Sequence, residues 1–445
     1  MYNLAIIGGG PAGYNAAATA AKAGLKVVLF EKNALGGTCL NMGCIPTKTL
    51  LYSAKLYHYA ETGAKYGVKT GEVSFEYDKI VARKNKVVRK LVAGIKAKMT
   101  GADVTVVTGA ATVTERTDEK VTIDCAGQQY EAERLLICTG SVVAIPPIPG
   151  LDTAEYWTST EALDSKELPE SITIIGGGVI GIEFAGLYST LGVPVRVIEM
   201  MPEILPGIDT EISAMLREEL KKRGVEFHLQ SKVLHVATGC VTYEDTEGEH
   251  KVESHRILLC IGRKPNLEGV RDLGLEPNRN GIRTDEHMRT SAPNVWAAGD
   301  INATSLLAHT AEREAQVAVN DILGRPDTMH YNAIPGVIYT YPEVAGCGAT
   351  EDALRTAGTE YHVHKLPMTF SGRFVAENEG GNGLCKVITD AADKVIGVHI
   401  IGNPASEIIS TACVAIEAGM TAEQLGHVVF PHPTVAEIIK ETVNE

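Results

Sequence analysis

The chain opens with YNLAIIGGGPAGYNAAATAAKAGLKVVLFE, residues 2–31, and this stretch decides the fold. The apolar residues 2–7 predict a strand, and the alanine-rich run after the glycines predicts a helix to about Ala23. A second apolar run, residues 25–30, predicts another strand and ends at Glu31. The glycines therefore stand between a strand and a helix, as in a βαβ unit that binds a dinucleotide.

Each part of this pattern has a physical purpose. Gly8, Gly10 and Gly13 allow a tight turn and let the backbone approach a pyrophosphate at the helix N-terminus. Glu31, 23 positions after the first glycine, is placed to accept hydrogen bonds from a ribose. A lone G-x-G-x-x-G is a weak indication, but its position between strand and helix makes it strong.

The same unit occurs a second time. Residues 171–175 predict a strand, residues 182–191 a helix and residues 193–198 a strand, with Gly176, Gly178 and Gly181 in the turn. Glu199 again follows the first glycine by 23 positions. We expect two dinucleotide sites, one for FAD and one for a nicotinamide cofactor. The alternative is a degenerate copy whose glycines serve only packing.

A cysteine pair stands in GGTCLNMGCIPTK, residues 36–48. The spacing of Cys39 and Cys44 differs from the C-x-x-C units of a structural zinc site, and no second pair completes four ligands, so we expect no metal. A redox disulfide fits better. Pro46 suits the first turn of a helix, whose N-terminus would stabilise a thiolate at Cys44. The alternative is two buried, inert cysteines.

Composition excludes several classes of function. The net charge is −14, from 41 basic and 55 acidic residues, and no basic block stands out, so nucleic acid and anionic membranes are poor partners. Nine cysteines are scattered through apolar runs, which favours a reducing compartment with one special pair. No apolar run is long enough to span a membrane. We expect a soluble, cytoplasmic protein without a targeting segment.

The rest of the chain predicts further elements. A helical pattern covers residues 55–98, and a β-rich section follows to about Thr139. Composition changes again after residues 324–326. The later expected helices are residues 211–223, 308–323, 405–418 and 435–443, and the later expected strands are residues 336–341, 361–367, 384–388 and 395–401.

A colinear set of motifs resembles the FAD-dependent pyridine nucleotide-disulfide oxidoreductases along almost the whole chain. Within that family the motifs look most like the branch that oxidises dihydrolipoamide with NAD. Beyond the two glycine fingerprints and the cysteine pair, the set comprises Thr139–Gly140, Glu183, Gly262–Arg263, Ala298–Gly299–Asp300, Leu307–Ala308–His309 and His432–Pro433–Thr434 through Glu437.

The resemblance implies an α/β fold with two Rossmann-like dinucleotide-binding domains and a C-terminal α+β dimerisation domain. The implied bounds are residues 1–145 and 263–330 for the FAD-binding part, 146–262 for the NAD-binding domain and 331–445 for the interface domain. The residues implied to bind FAD are Gly8, Gly10, Gly13, Glu31, Thr38, Lys48, Thr139, Gly140, Asp300, Ala308 and His309, and those implied to bind NAD are Gly176, Gly178, Gly181, Glu199 and Gly262.

The resemblance also implies catalytic roles. Cys39 and Cys44 would form the redox disulfide, and Lys48 would lie beside the flavin and pair with Glu183. The alternative for these two charges is an ordinary surface position. His432 and Glu437 would act on the disulfide of the partner chain, which implies a homodimer with shared active sites. Glu437 also fits a capping box with Thr434, a structural role that needs no catalysis.

Two details of the sequence bear on the coenzyme and on the substrate entrance. Glu199 is followed by Met200, Met201 and Pro202 without an arginine, which favours NAD over NADP. The branch often has a second histidine two residues before the catalytic one, where this chain has Phe430. The expected partners are lipoyl-bearing proteins of 2-oxoacid dehydrogenase complexes or the glycine cleavage system. The alternatives are an NADH-dependent reductase of another small disulfide and a non-enzymatic scaffold that keeps FAD for stability.

Overall fold

A computed structural model describes residues 1–378 and 380–445. The strands of this part of the chain are β1 (Tyr2–Ile7), β2 (Val27–Glu31), β3 (Thr105–Thr108), β4 (Ala111–Arg116), β5 (Val121–Cys125), β6 (Gln128–Ile137), β7 (Ser141–Val143), β8 (Ile172–Ile175), β9 (Val195–Ile198), β10 (Val225–His228), β11 (Lys232–Ala237), β12 (Cys240–Asp245), β13 (Gly248–Glu253), β14 (Arg256–Leu259), β15 (Arg263–Pro265), β16 (Pro277–Asn278), β17 (Gly281–Ile282), β18 (Val295–Ala297), β19 (Pro335–Ile338), β20 (Val344–Gly348), β21 (Tyr361–Pro367), β22 (Leu384–Asp390) and β23 (Val395–Ile401).

The helices are α1 (Pro11–Lys22), α2 (Gly37–Met42), α3 (Cys44–Thr62), α4 (Tyr77–Gly101), α5 (Ser159–Asp164), α6 (Val179–Thr190), α7 (Thr210–Lys222), α8 (Ala308–Ile322), α9 (Glu351–Ala357), α10 (Gly372–Glu377), α11 (Ala405–Glu417), α12 (Ala422–Gly426) and α13 (Glu437–Asn444). Short 3₁₀ turns occur at Gly63–Tyr66, Arg271–Leu273, Asp300–Asn302 and Met368–Phe370.

The chain forms two compact units, each built from three segments. The first unit comprises Met1–Thr49, Val81–Ile145 and Gly262–His330. The second comprises Leu50–Ile80, Pro146–Ile261 and Tyr331–Glu445.

A mostly parallel sheet forms the centre of the first unit. Its strands run in the order β3-β2-β1-β6-β5-β4, and β18 also pairs with β6. The pairs of β1 with β2 and with β6 are parallel, whereas β5 pairs with β6 antiparallel. The helices α1 and α8 pack on each other. Because the first glycine turn follows β1, it lies at the carboxyl end of the parallel strands, where open α/β sheets bind ligands.

The second unit contains a smaller parallel sheet, a three-stranded antiparallel sheet of β11, β12 and β13, and a five-stranded sheet that is antiparallel throughout. The parallel sheet has the order β10-β9-β8-β14, with β8, α6 and β9 forming the second βαβ unit. The five-stranded sheet has the order β19-β20-β23-β22-β21. Helices α11 and α13 pack on this sheet and bury Ile409 and Ile438 in one apolar cluster with it. The predicted α/β class, with two Rossmann-like units and a C-terminal α+β part, is confirmed.

A buried ion cluster ties α7 to the five-stranded sheet of the same unit. The Lys386 side chain is 1% exposed, and its Nζ lies 2.8 Å from Asp209 Oδ1, 2.7 Å from Glu211 Oε2 and 2.6 Å from Glu351 Oε2. Asp209 is also the N-cap of α7, where its carboxylate accepts from Ile212 N. One buried lysine thus binds three carboxylates, which lie at the starts of α7 and α9.

One sequence prediction of an element was wrong, and some elements were missed. Residues 55–98 are not one helix, because α3 ends at Thr62 and α4 begins at Tyr77. The intervening chain contains Gly63, Gly67 and Gly71, and Gly67 has φ +78°, a left-handed conformation that ends a helix. The strand β20 and helix α9 were not predicted.

Candidate active site

The two cysteines predicted to be redox-active lie at a junction of two helices. Cys39 lies in α2, Cys44 is the first residue of α3, and both are half-buried. A hydrogen bond from the Cys39 thiol to Cys44, together with burial, raises the pKa of Cys39, while the charge of Lys48 acts in the opposite direction. These effects favour the protonated form of Cys39, and Cys44 lies at the positive end of a helix.

The cysteine segment packs directly on the first glycine loop. Gly36 N donates to Gly9 O at 2.8 Å. A Cβ on Gly37 would lie 2.6 Å from Gly10 Cα, so a larger residue would push the two loops apart. The glycines of this segment bring the cysteine pair against the loop that is expected to hold the dinucleotide.

In the first glycine loop, two positions admit no side chain. Gly8 has φ +106°, and a Cβ there would lie 2.1 Å from the carbonyl oxygen of Cys138. A Cβ on Gly13 would lie 1.8 Å from Gly8 O. The Glu31 carboxylate reaches back into this loop, where its Oε2 accepts from Gly9 N at 2.8 Å.

The second loop repeats this geometry within its own unit. Gly176 has φ +107°, and a Cβ there would lie 2.4 Å from Cys260 O. A Cβ on Gly181 would lie 2.1 Å from Gly176 O. Glu199 Oε2 accepts from Gly177 N at 2.5 Å, and Oε1 accepts from Met201 N at 2.7 Å. The internal repeat seen in the sequence thus extends to equivalent atoms.

Both loops fit a dinucleotide. Gly10 and Gly178 are the N-caps of α1 and α6, and no side chain of the described residues caps either helix. The first N–H groups of each helix therefore suit a pyrophosphate. Each carboxylate oxygen has two acceptor positions, so Glu31 and Glu199 can accept from a ribose while they hold their loops.

A polar cluster in the first unit surrounds Asp300. Ser141 Oγ donates to Asp300 Oδ2 at 2.5 Å, and Arg263 Nε donates to Ser141 Oγ at 2.8 Å. Arg263 Nη2 also donates to Thr38 Oγ1 at 3.3 Å, beside the redox cysteines. Burial raises the pKa of Asp300, and the bond from Ser141 and the charge of Arg263 oppose that rise. Asp300 thus stands in a site with a nearby positive charge.

Three residues of this region were absent from the predicted site. Arg263 was noticed only as part of a Gly-Arg motif, and Ser141 directly follows Thr139–Gly140. Glu314 in α8 is fully buried and accepts from Gly299 N at 2.6 Å, which fixes the turn that presents Asp300. The helical pattern gave no signal for Glu314, because a glutamate in an amphipathic helix normally faces solvent.

The remaining predicted FAD residues lie in the first unit. Thr139 Oγ1 donates to Asn266 O at 2.6 Å, and Asn266 N donates to Gly140 O at 2.9 Å. Ala308 is the first residue of α8 and His309 the second. Gly262, predicted to bind NAD, has φ +109° and accepts from Ala144 N at 3.0 Å in this same unit.

Lys48 and Glu183 are held on separate helices. Lys48 lies near the start of α3 and affects the pKa of Cys39. Glu183 lies in α6, is 3% exposed, and accepts from Tyr339 N at 3.1 Å. Glu183 is thus no surface charge. The expected Lys48–Glu183 pair stays a prediction.

The C-terminal histidine and glutamate are in contact. His432 Nδ1 lies 3.0 Å from Glu437 Oε1, and Glu437 Oε2 accepts from Thr434 N at 2.8 Å. The Thr434 hydroxyl donates to Pro431 O, and α13 begins only at Glu437, so Thr434 does not act as the N-cap of a capping box. The carboxylate orients the imidazole, whose side chain is 81% exposed.

The described residues contain no helix that is long and apolar enough to cross a membrane.

Proteins of one family match this chain along almost its whole length. Residues 2–318 match the family model "Pyridine nucleotide-disulphide oxidoreductase", and residues 334–443 match the dimerisation domain of that family. The chain is 37% identical over 449 residues to a dihydrolipoyl dehydrogenase of Mycoplasma pneumoniae, covering 99% of this chain and 97% of the relative. It is 38% identical over 462 residues to that of Thermus scotoductus, covering 99% and 96%.

Solved structures also resemble this fold. LpdA from Mycobacterium tuberculosis is 26% identical with a TM-score of 0.90, covering 99% of both chains. The HOCl-induced flavoprotein disulfide reductase RclA from Escherichia coli is 26% identical with a TM-score of 0.86, covering 100% of this chain and 99% of its own. The protein belongs to the pyridine nucleotide-disulphide oxidoreductase family and carries that family's dimerisation domain.

Proposed function

We propose that the protein is a dihydrolipoyl dehydrogenase, which oxidises dihydrolipoamide to lipoamide and passes the electrons through Cys39 and Cys44 and through FAD to NAD. The relatives that match almost the full chain carry that name. One observation carries the proposal: a cysteine pair at a helix N-terminus packs on one dinucleotide loop, and the chain contains a second, equivalent loop.

The chain's own residues account for the thiol chemistry. His432 of the partner subunit accepts a proton from one dihydrolipoyl thiol, because Glu437 orients its ring and stabilises the imidazolium. The resulting thiolate attacks Cys39, and Cys44 leaves as a thiolate at the N-terminus of α3. The second substrate thiol then attacks the sulfur bound to Cys39, which closes the lipoyl ring and releases Cys39.

The chemistry that bound FAD would supply is the transfer of an electron pair from a dithiol to NAD in the form of a hydride. Arg263 lies near Cys44 and Asp300, and Cys44 is also at the N-terminus of α3. Both the guanidinium and the helix end therefore favour the negative charge that would accumulate on a Cys44 thiolate. We assign the sites as the sequence predicted them, and add Ser141 and Arg263 as positioning residues at the FAD site.

The second loop favours NAD over NADP. Glu199 stands where a 2′-phosphate would lie, and a carboxylate repels it. Arg196, the nearest basic residue in the strand, is bound to Glu226 at 2.8 Å and to Glu253 O at 3.1 Å. It is therefore not placed to receive a phosphate.

We further propose a homodimer with shared active sites, in which His432 acts on the disulfide of the partner chain. Residue 432 lies within the region that matches the dimerisation domain. The macromolecular partners are lipoyl-bearing proteins of 2-oxoacid dehydrogenase complexes or the glycine cleavage system. Scattered cysteines favour a reducing compartment, and we propose the cytoplasm. We also propose the domain bounds expected from the sequence: residues 1–145 and 263–330 for FAD, 146–262 for NAD and 331–445 for the interface domain.

A substrate panel tests the activity. NADH oxidation by the holoenzyme is followed with lipoamide, glutathione disulfide and coenzyme A disulfide, and the reverse reaction with dihydrolipoamide and either NAD or NADP. We expect the highest kcat/KM with lipoamide and with NAD. A faster reaction with either other disulfide would replace lipoamide with that substrate class, and no disulfide reduction at all would leave only a scaffold that keeps FAD for stability.

A further inference from the structure

A second pair of cysteines lies together in the dimerisation domain. Cys347 is on β20, between β19 and β23, and is 1% exposed. Cys413 is on α11, which packs on β20, and its side chain is half-buried. Both belong to the apolar cluster between the helix and the sheet. The fold thus brings together two thiols that are far apart in the sequence.

The two thiols lie close enough in this cluster to shift each other's pKa. Their interaction raises the pKa of Cys347, with burial adding to the rise, and lowers the pKa of Cys413. Cys413 is the more exposed of the two and, because its pKa is lowered, the thiol that ionises more readily. In the pair Cys39 and Cys44, the interaction between the thiols likewise raises the pKa of one member, Cys39.

From this arrangement we propose that Cys347 and Cys413 are a second redox-active dithiol, which a peroxide closes to a disulfide. The Cys413 thiolate attacks the O–O bond of hydrogen peroxide, becomes a sulfenic acid and releases hydroxide. The sulfur of Cys347 then attacks the Cys413 sulfur, the S–O bond breaks, and water leaves. Overall two thiols lose two electrons and two protons, and one peroxide becomes two waters.

The disulfide has two consequences. It ties α11 to β20 and so restrains the chain between residues 347 and 413 in the unfolded state. It also ends the oxidation of Cys413 at a reversible stage, because a sulfenic acid with a thiol beside it condenses before a second peroxide arrives. The dimerisation domain thereby contains a peroxide-responsive bond that the lipoamide reaction does not use.

Peptide mapping tests the proposal on the dimeric holoenzyme. The wild type, Cys413→Ser and Cys240→Ser are treated with hydrogen peroxide, their remaining thiols are alkylated, and they are digested without reductant. Cys240 is a matched control because it is also half-buried but lies on β12, away from the pair. We expect a cross-linked peptide joining residues 347 and 413, about 2 Da lighter than its two thiol peptides together, in the wild type and Cys240→Ser only.

The outcomes separate this bond from the catalytic one. The Cys39–Cys44 disulfide lies in other peptides and is mapped separately. Because the lipoamide reaction does not use Cys413, lipoamide turnover should be equal in the wild type and Cys413→Ser. Treatment with peroxide should raise the Tm of the wild type by several degrees and leave that of Cys413→Ser unchanged. Recovery of Cys347 and Cys413 as separately alkylated thiols, or of Cys413 as a sulfinic acid beside alkylated Cys347, would overturn the proposal.

Discussion

The imidazole of His432 is held from one side by a fixed carboxylate. Glu437 accepts from Thr434 N and binds His432 Nδ1, and these bonds, the backbone one first, lower the pKa of Glu437. The carboxylate is therefore ionised throughout the neutral range. A single side chain thus fixes the orientation of the histidine ring.

Replacing the base should slow catalysis without loss of the fold. His432→Gln should lower kcat for dihydrolipoamide by about 10²–10⁴-fold, because it removes general acid–base catalysis. His427→Gln is the control, since His427 is exposed and lies only five positions away in the same segment. Both variants should retain full FAD content, measured by absorbance. Equal turnover of the two variants would remove His432 from the mechanism.

The sequence singled out candidate catalytic groups and missed residues that position their neighbours. The cysteines were singled out by their spacing, and His432 and Glu437 by the resemblance to the family; their catalytic roles stay predictions. Ser141 and Glu314 could not, because their roles depend on hydrogen bonds to residues that are distant in sequence, Asp300 and Gly299. Such partners are set by the tertiary fold and leave no local pattern.

Among the elements, α7 depends most visibly on charge. Asp209 at its N-terminus is 1% exposed and faces Lys386 on β22, which two further carboxylates approach. Burial alone would lower the pKa of Lys386, but hydrogen bonds to these acids raise it above the usual value. The raised pKa keeps Lys386 charged at neutral pH, so it holds the start of α7 to β22 through ion pairs.

Removal of this charge should be costly. Lys386→Met leaves the buried Asp209 carboxylate without its cation and should lower the free energy of unfolding by about 3–5 kcal/mol. Lys365→Met is the matched control, because Lys365 also contacts Glu211 but its side chain is 41% exposed, and it should cost less than about 1 kcal/mol. Urea unfolding followed by circular dichroism measures both. A similar loss in the two variants would show that burial of the pair does not matter.

The strands of the five-stranded sheet show where sequence reasoning succeeds. The β21 and β23 strands were predicted with their observed bounds. The β23 strand, VIGVHII, is rich in apolar and β-branched residues, which favour strands. The β20 strand, VAGCG, was missed since its glycines weaken the strand pattern. Gly346 is needed there, because a Cβ would lie 2.6 Å from Nδ1 of the buried His399. The constraint comes from a neighbouring strand, which the sequence does not display.

For the whole molecule, the two glycine loops allow each cofactor to be tested separately. Gly8→Ala should abolish stable FAD binding, because its Cβ would meet Cys138 O at 2.1 Å. Gly176→Ala should keep FAD but raise the KM for NADH at least about tenfold, which is ~1.4 kcal/mol, since its Cβ would lie 2.4 Å from Cys260 O.

Matched glycines control for backbone strain in these variants. Gly24 and Gly192 have φ of +95° and +82°, and a Cβ at either would meet nothing within 4 Å. Gly24→Ala and Gly192→Ala should therefore retain both cofactors. The reverse pattern, FAD lost with Gly176→Ala and kept with Gly8→Ala, would exchange the two assignments.

Mixed dimers test whether active sites are shared. Cys44→Ser and His432→Gln homodimers should each be nearly inactive with dihydrolipoamide. When the two chains are dissociated together and reassociated at random, half the dimers are mixed, and each has one intact site. About a quarter of wild-type activity should return. Formation of mixed dimers is verified by native mass spectrometry with one tagged chain, and no recovery in their presence would place each complete site within a single chain.

The bracing of the second loop by Glu199 limits how cofactor preference can be redesigned. The carboxylate that disfavours NADP is the same group that accepts from Gly177 N and Met201 N. A substitution that removes the charge to admit a 2′-phosphate also leaves two backbone donors of the loop without their acceptor. A change of coenzyme therefore requires at least two substitutions, one to admit the phosphate and another to rebuild the turn.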